Sequence, residues 1–436
     1  MIPGAESNVL ELTLIAEPTR LDAPLEVSWG WVATPTRPPT PGYRGWLTGN
    51  CDYYPGYQWY VPKGAADYDP RWLGWTHFIG KKDRPDGKGK CAVSGGPYVV
   101  TSECAVGVPE YGYWGDEWSP SRMGRKVEGG LGTCSVAAPS WTDFFVWCYR
   151  QLYNRGRYIG LYYDCAACLP DDNIYHGAGF RQGDKVLPVN PVLSARRIAQ
   201  RMYCMLRALE PERTMILYHH SGCIDMAFLS WCDVYVDGEN FTSRLSKKEQ
   251  DYHRVYPPEA FLAQSMGHNF GPTVYFLDEF NRSGATKPED WKRLGTQPVT
   301  HLYGLILLHD STYWRAYGIK EGYAMVDEAL RKYNFDERYR MIPYWDQKIV
   351  ALPDKVYATF YVDDRAKRTL MVILNNTEED LPLRARVDWR ALGYADPARI
   401  TVDDAVFHEG ARIENGELVT PVGRANMRLL AFGEKP

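Results

Sequence analysis

Apolar positions change their spacing several times along the chain. Residues 8–34 alternate apolar and polar in "VLELTLIA" and "LEVSWGWVAT", the period-2 pattern of strands. This text predicts the edge of a sheet whose other strands are not in the sequence. Residues 35–130 crowd Pro, Gly, Trp and Tyr together and give no clear period. From about 131 to 335, short apolar runs alternate with helical patterns. "YIGLYYD", "TMILYHHSG", "CDVYVDGEN", "PTVYFLDEF" and "HLYGLILLHD" predict strands buried on both faces. Between them, "SARRIAQRMYCMLRAL" places Ile198, Met202, Met205, Leu206 and Leu209 on one helical face. Ser140 with Asp143 reads as a helix N-cap before "FFVWCYRQLY", and a further helix is predicted through "GYAMVDEALRKY". Beyond about 350 the text becomes short alternating strands with turns, as in "KVYATFYVDD" and "RTLMVILNNTEED".

These patterns predict an α/β fold: a (β/α)8 TIM barrel with a C-terminal antiparallel β-sandwich and a partial N-terminal β-sheet. The expected divisions are 1–39 for the N-terminal β segment, 40–345 for the barrel and 346–436 for the sandwich. Bare strand edges at the N-terminus invite pairing, which leaves a homo-oligomer open.

Barrel chemistry sits at the carboxyl ends of the strands, where a charge meets solvent and substrate instead of core. Asp164 ends one run, His219 and His220 the next, then Asp237 and Glu239, then Asp278 and Glu279, then Asp310. One such residue is more often a cap or a loop ion pair; five strand ends in register point to a site. Period 2 puts Tyr162 and Asp164 on one face. Asp237 and Glu239 also share a face if the strand runs straight, and Gly238 between them makes a bend there expected. Two carboxylates across a barrel mouth are what glycoside hydrolysis needs. The catalytic candidates are therefore Asp164, Asp237 and Glu239. Candidate substrate-binding residues are Tyr162, His219 and His220, with His176 in the lid-like "NIYHGAGF" and Glu110, Trp114 and Trp118 in the loop-like "PEYGYWGDEW". For the histidines a buried structural bond is the competing reading, and for the two tryptophans a structural cover on the barrel edge.

Composition narrows the partners. A net charge of -4 over 436 residues gives no electrostatic reason to expect nucleic acid. No apolar run approaches the ~20 residues of a membrane span. Fifteen Trp and 31 Tyr, many in Gly- and Pro-rich text, suit the C–H faces of an oligosaccharide or polysaccharide substrate. The ten cysteines include one CxxC, Cys165 and Cys168, with no second pair to complete a zinc site. No cofactor or metal is expected, and the thiols read as structural. No basic and apolar leader is visible at the start; secretion or a periplasmic location would follow only from a leader already removed.

In order, "WVATPTRP", "VPEYGYWGDEW", "RYIGLYYDCA", "NIYHGAGF", "YHHSG" and "CDVYVDGEN" resemble glycoside hydrolase family 123-like proteins over most of residues 29–310. The resemblance implies a β-sandwich before a (β/α)8 barrel. It implies β-N-acetylgalactosaminidase chemistry in which the substrate's acetamido group attacks, aided by an adjacent Asp-Glu pair. The matching strand here ends Asp164-Cys165, without the Glu, so the acid would come from Asp237 or Glu239. In other barrel glycosidases an Asp ends the fourth strand as nucleophile and another ends the sixth as acid/base, and Asp164 and Asp237 fit that layout equally well. An O-glycosyl hydrolase, N-acetylhexosaminidase-like or galactosidase-like, is the expectation. A carbohydrate-binding pseudoenzyme is the alternative that the missing Glu favours.

Overall fold

The computed structural model describes residues 2–3, 8–9, 11–22, 24, 27, 29–48, 98–119, 127–128, 131–156, 160–164, 170–209, 211, 215–222, 224–245, 250–265, 267–280 and 288–435. Residues 1–33 form one compact unit and residues 34–436 another.

In the first unit Ile2–Pro3 pairs antiparallel with Asn8–Val9. That two-stranded ladder is its β content among the described residues. The strands expected through 34 are corrected: residues 11–22 carry none, and Leu12, Leu14 and Ile15 are exposed. Alternation creates a sheet face, but a strand also needs a partner for its backbone groups. Trp29 and Trp31 meet edge to face instead, 5.7 Å apart.

Among the described residues the second unit is built on six parallel strands: β1 (Tyr98–Val100), β2 (Gly160–Asp164), β3 (Met215–His219), β4 (Val234–Asp237), β5 (Thr273–Leu277) and β6 (Thr312–Trp314). They pair in chain order with no reversal. A doubly wound sheet would reverse its order at a switch point; sequential order keeps every crossover on one side.

Packing agrees. Leu161, Tyr163, Ile216, Tyr218, Tyr235, Phe276 and Tyr313 pack in one cluster with residues of the flanking helices. These helices are α1 (Pro109–Trp118), α2 (Pro139–Gly156), α3 (Val192–Leu209), α4 (Gln297–Leu308) and α5 (Lys320–Lys332). The opposite face holds Tyr162, Met215, Leu217, Val234, Val236, Tyr275 and Leu277, which pack on one another and on Tyr43. Side chains that fill their own concave face are the packing of a (β/α) barrel interior. Each Leu or Val so buried contributes roughly 2 kcal/mol.

Three expectations are corrected. "HLYGLILLHD" is helix α4, not a strand. It is buried all round because it lies between the parallel sheet and the C-terminal sandwich; a short apolar run with both sides buried has no readable period. "PEYGYWGDEW" is helix α1, not a loop, with Pro109 in its first turn. Ser140 and Asp143 lie inside α2 instead of capping it. Ser140 Oγ donates to Glu117 Oε1 (2.7 Å) and accepts from Trp118 Nε1 (2.9 Å), and Asp143 pairs with Arg201.

The C-terminal strands are β7 (Arg340–Ile342), β8 (Val356–Asp363), β9 (Arg368–Asn375), β10 (Leu381–Arg386), β11 (Ile400–Asp404), β12 (Arg412–Glu414), β13 (Glu417–Val422) and β14 (Asn426–Glu434). They form an antiparallel sandwich of a five-stranded sheet, β7-β8-β9-β14-β11, and a three-stranded sheet, β10-β13-β12. Phe360, Met371, Ile373, Leu383, Leu418 and Phe432 fill the space between them. The larger sheet buries its other face too: Tyr361, Leu370, Val372, Leu374, Met427 and Leu429 belong to the same core as α4.

Candidate active site

The C-terminal ends of β2, β3, β4 and β5 converge, and parity decides which side chains face the concave interior. Tyr162 and Leu217 point inward, so two residues on Asp164 and His219 do the same. His219 lies between two carboxylates. Its Nδ1 is 2.9 Å from Asp164 Oδ1 and 2.7 Å from Tyr162 Oη. Its Nε2 is 3.1 Å from Glu239 Oε2, off line for a hydrogen bond. A carboxylate only accepts, so a hydrogen bond between these two is one that Nδ1–H donates to Asp164.

Glu239 reaches this position because the chain turns sharply after β4. Gly238 adopts φ +115°, and a Cβ there would meet Leu277 O at 2.1 Å. Only glycine fits. The Glu239 amide then donates to Ser221 Oγ (3.2 Å).

Asp237 goes the other way. It shares parity with Tyr235, on the helix side of the sheet. Its Oδ1 accepts from the amides of Gly238 (2.7 Å) and Gly222 (3.2 Å), and its Oδ2 accepts from Ser265 Oγ (2.6 Å). Burial raises its pKa, against the bonds from Ser265 and the two glycines. The structure thus brings Asp164, Glu239, His219 and Tyr162 together and sets Asp237 behind them. His220 is also buried on the helix side, near the Phe228 ring.

Two segments follow the C-terminal ends of β1 and β2. His176, in the short 3-10 turn Ile174–His176, lies 3.1 Å from Glu117 Oε1 of α1. Asn173 adds a bond from Nδ2 to Glu117 O (2.7 Å). Glu110 sits in the first turn of α1. Trp114 is exposed beside Tyr113. Trp118 is buried against Trp141 and Phe144.

Sequence reasoning read Glu279 and Asp278 at this end as supporting or cap residues and passed over Tyr275 and Trp314. Glu279 shares parity with the inward Tyr275 and Leu277, and its Oε2 accepts from Thr242 Oγ1 (2.5 Å). Burial pushes its carboxyl up to about 7, with the Thr242 bond opposing and Asp278 adding. Tyr275 stacks on Trp314, whose ring edge meets Tyr162 at 6.2 Å. Alternation would have turned Glu279 inward; Trp314 was hidden by the misread helix before it. Asp278 itself lies on the helix side, where it accepts from Tyr323 and from the Tyr317 amide. Burial raises it to about 6 against those bonds.

Asp310 is not at this rim. It follows α4 and precedes β6, so it sits at the opposite end of the sheet. There Arg44 donates to both of its oxygens, and His268 Nε2 lies 2.8 Å from Oδ2. Burial would raise the carboxyl; the Arg44 charge and the His268 bond outweigh it and hold it far below the usual range.

Among the described residues no set of three His, Cys, Asp or Glu is placed to hold a metal ion. Cys165 and Cys168 lie outside the described residues; Cys104, Cys134, Cys148, Cys204 and Cys232 are free thiols.

No protein-family description and no curated protein matches the chain. Solved structures with a similar fold include a maltogenic α-amylase from Thermotoga neapolitana. It is 13% identical, with a TM-score of 0.47, over 78% of this chain and 77% of that one. An acarbose-bound α-amylase from Geobacillus thermoleovorans is 9% identical, with a TM-score of 0.48, over 79% and 77%. A family 27 β-L-arabinopyranosidase from Geobacillus stearothermophilus is 10% identical, with a TM-score of 0.43, over 69% and 63%. Overlaps this loose assign no residue.

Proposed function

We propose that this chain is a glycoside hydrolase whose working carboxyls are Asp164 and Glu239. The observation that carries this reading is their placement on either side of one imidazole, at the C-terminal ends of β2 and β4, the strands that flank β3. We assign them different roles: Asp164 is the charged partner of the anomeric centre and Glu239 is the acid.

In the reaction, Asp164 supports positive charge at the anomeric carbon, by direct attack or by orienting a substrate acetamide as the family 123 resemblance implies. Glu239 delivers its proton to the leaving oxygen. Tyr162 holds the imidazole in place. Asp237 acts through the backbone: by fixing the Gly238 and Gly222 amides it sets the turn that presents Glu239.

Turnover of a panel of aryl glycosides is the first test. Asp164→Asn keeps the shape and removes the charge, so kcat falls by something on the order of 10³ or more while sugar binding persists. Glu239→Gln depresses turnover of substrates with poor leaving groups far more than that of activated nitrophenyl glycosides. Near-normal turnover in Asp164→Asn would place the chemistry elsewhere. A second reading, a carbohydrate-binding protein without hydrolysis, is favoured by the His219 ring itself, which occupies the gap between the carboxyls. Sugar binding without turnover on any aryl glycoside supports that reading.

A further inference from the structure

The barrel end opposite Asp164 holds a cavity of about 520 Å³ that the chemistry above does not use. It lies between the segment that carries Tyr43 and Arg44 and the stretch joining the barrel to the sandwich. Pro39, Pro41, Met341 and Pro343 form its apolar walls. Trp345 borders it, with one face stacked 6.0 Å from His309 and its edge against Tyr344. These contacts hold the indole, and Trp345 remains 40% exposed.

The polar groups are equally placed. His268 lines the cavity and is held by Asp310 through Nε2. Glu337 is exposed at the rim. Arg44 lines the cavity, but each nitrogen of its guanidinium is engaged: Nε and Nη2 donate to Asp310, and Nη1 donates to the carbonyls of Asp336 and Tyr339. No uncommitted cation among the lining residues awaits an anion. A fixed indole, apolar walls, one imidazole and one carboxylate match an uncharged pyranose ring, with C–H groups against the indole and hydroxyls toward Glu337 and His268.

We infer that this cavity is a second, non-catalytic carbohydrate site, taking a neutral pyranose unit of a chain longer than the active site holds. The inference rests on the hydrolase reading for its substrate class, and its test separates the two. Maltotetraose, cellotetraose and chitotetraose are titrated by calorimetry into the full-length Asp164→Asn protein, alone and combined with Trp345→Ala, Trp345→Phe or Glu337→Gln. For at least one tetrasaccharide, Trp345→Ala and Glu337→Gln should each weaken binding about 10-fold or more, and Trp345→Phe, which keeps a flat ring, should weaken it less. Hydrolysis of small aryl glycosides should be unchanged in chains carrying only the Trp345 or Glu337 substitutions. Glu337 is exposed, so its variant guards against a folding defect. Binding equal in all four proteins, or no binding of any tetrasaccharide, overturns the site. So does inorganic phosphate binding that depends on Trp345. Trp345-dependent sugar binding in a protein without turnover preserves this site and removes the hydrolase reading; turnover without such binding does the reverse.

Discussion

At His219 one imidazole meets two carboxyls, and its environment is set by three neighbours, Tyr162 and Asp164 from β2 and Glu239 from the turn after β4. Beyond it, Asp278 and Glu279 form a second acidic pair with raised pKa values, about 6 and about 7, chiefly from burial. Their sign is fixed by linkage. A carboxyl whose folded pKa exceeds its ordinary value binds its proton more tightly when folded. The stability it contributes is fully present below about pH 4 and is lost as pH rises through about 6 to 7. Asp278→Asn removes one of these titrations. Urea unfolding at about pH 5 and about pH 8 should show the drop across that window reduced by on the order of 1–3 kcal/mol relative to the parent. An undiminished drop would show that Asp278 is ionised throughout.

At the level of elements, the turn after β4 positions the acid. Gly238→Ala forces a Cβ into the Leu277 carbonyl, so the turn must open and Glu239 must move. Activity on poor leaving groups should fall by about 10-fold or more, with a Tm loss of several degrees. A crystal structure of the variant with Glu239 still beside His219 would refute the role given to Gly238. Much of this was readable in advance. The inward parity of Tyr162 and Asp164 follows from a straight five-residue strand, and Gly238 flagged a bend. Which carboxyl the bend would present was not readable, because it depends on φ at Gly238 and on the neighbouring Leu277 backbone. Helix α4 was unreadable for another reason. Its environment is apolar on every side, so its sequence carries no period, and with it went the placement of Asp310 and of Trp314. The N-terminal alternation misled in the opposite sense: the pattern is present, but the described residues show pairing only at 2–3 and 8–9.

At the scale of the whole molecule, residues 34–436 hold two architectures in one compact unit, and α4 is the reason. It packs on the parallel sheet from one side and on β9 and β14 from the other. Gly304 is the point of closest approach: a Cβ there would lie 2.7 Å from Met427 Cβ and 2.9 Å from Leu374 Cδ1. Polar bonds cross the same seam, from Thr300 Oγ1 to Asn426 Oδ1 (2.7 Å) and from Thr359 Oγ1 to Leu308 O (2.9 Å). A shared core of this kind should make barrel and sandwich unfold together. Calorimetry should therefore show a single transition for residues 34–436. Gly304→Val overfills the seam and should cost about 1–3 kcal/mol, lowering that one transition as a whole. Two resolved transitions in the parent, with only the earlier one moved by Gly304→Val, would show that the sandwich is held by its own core and that α4 belongs to the barrel alone.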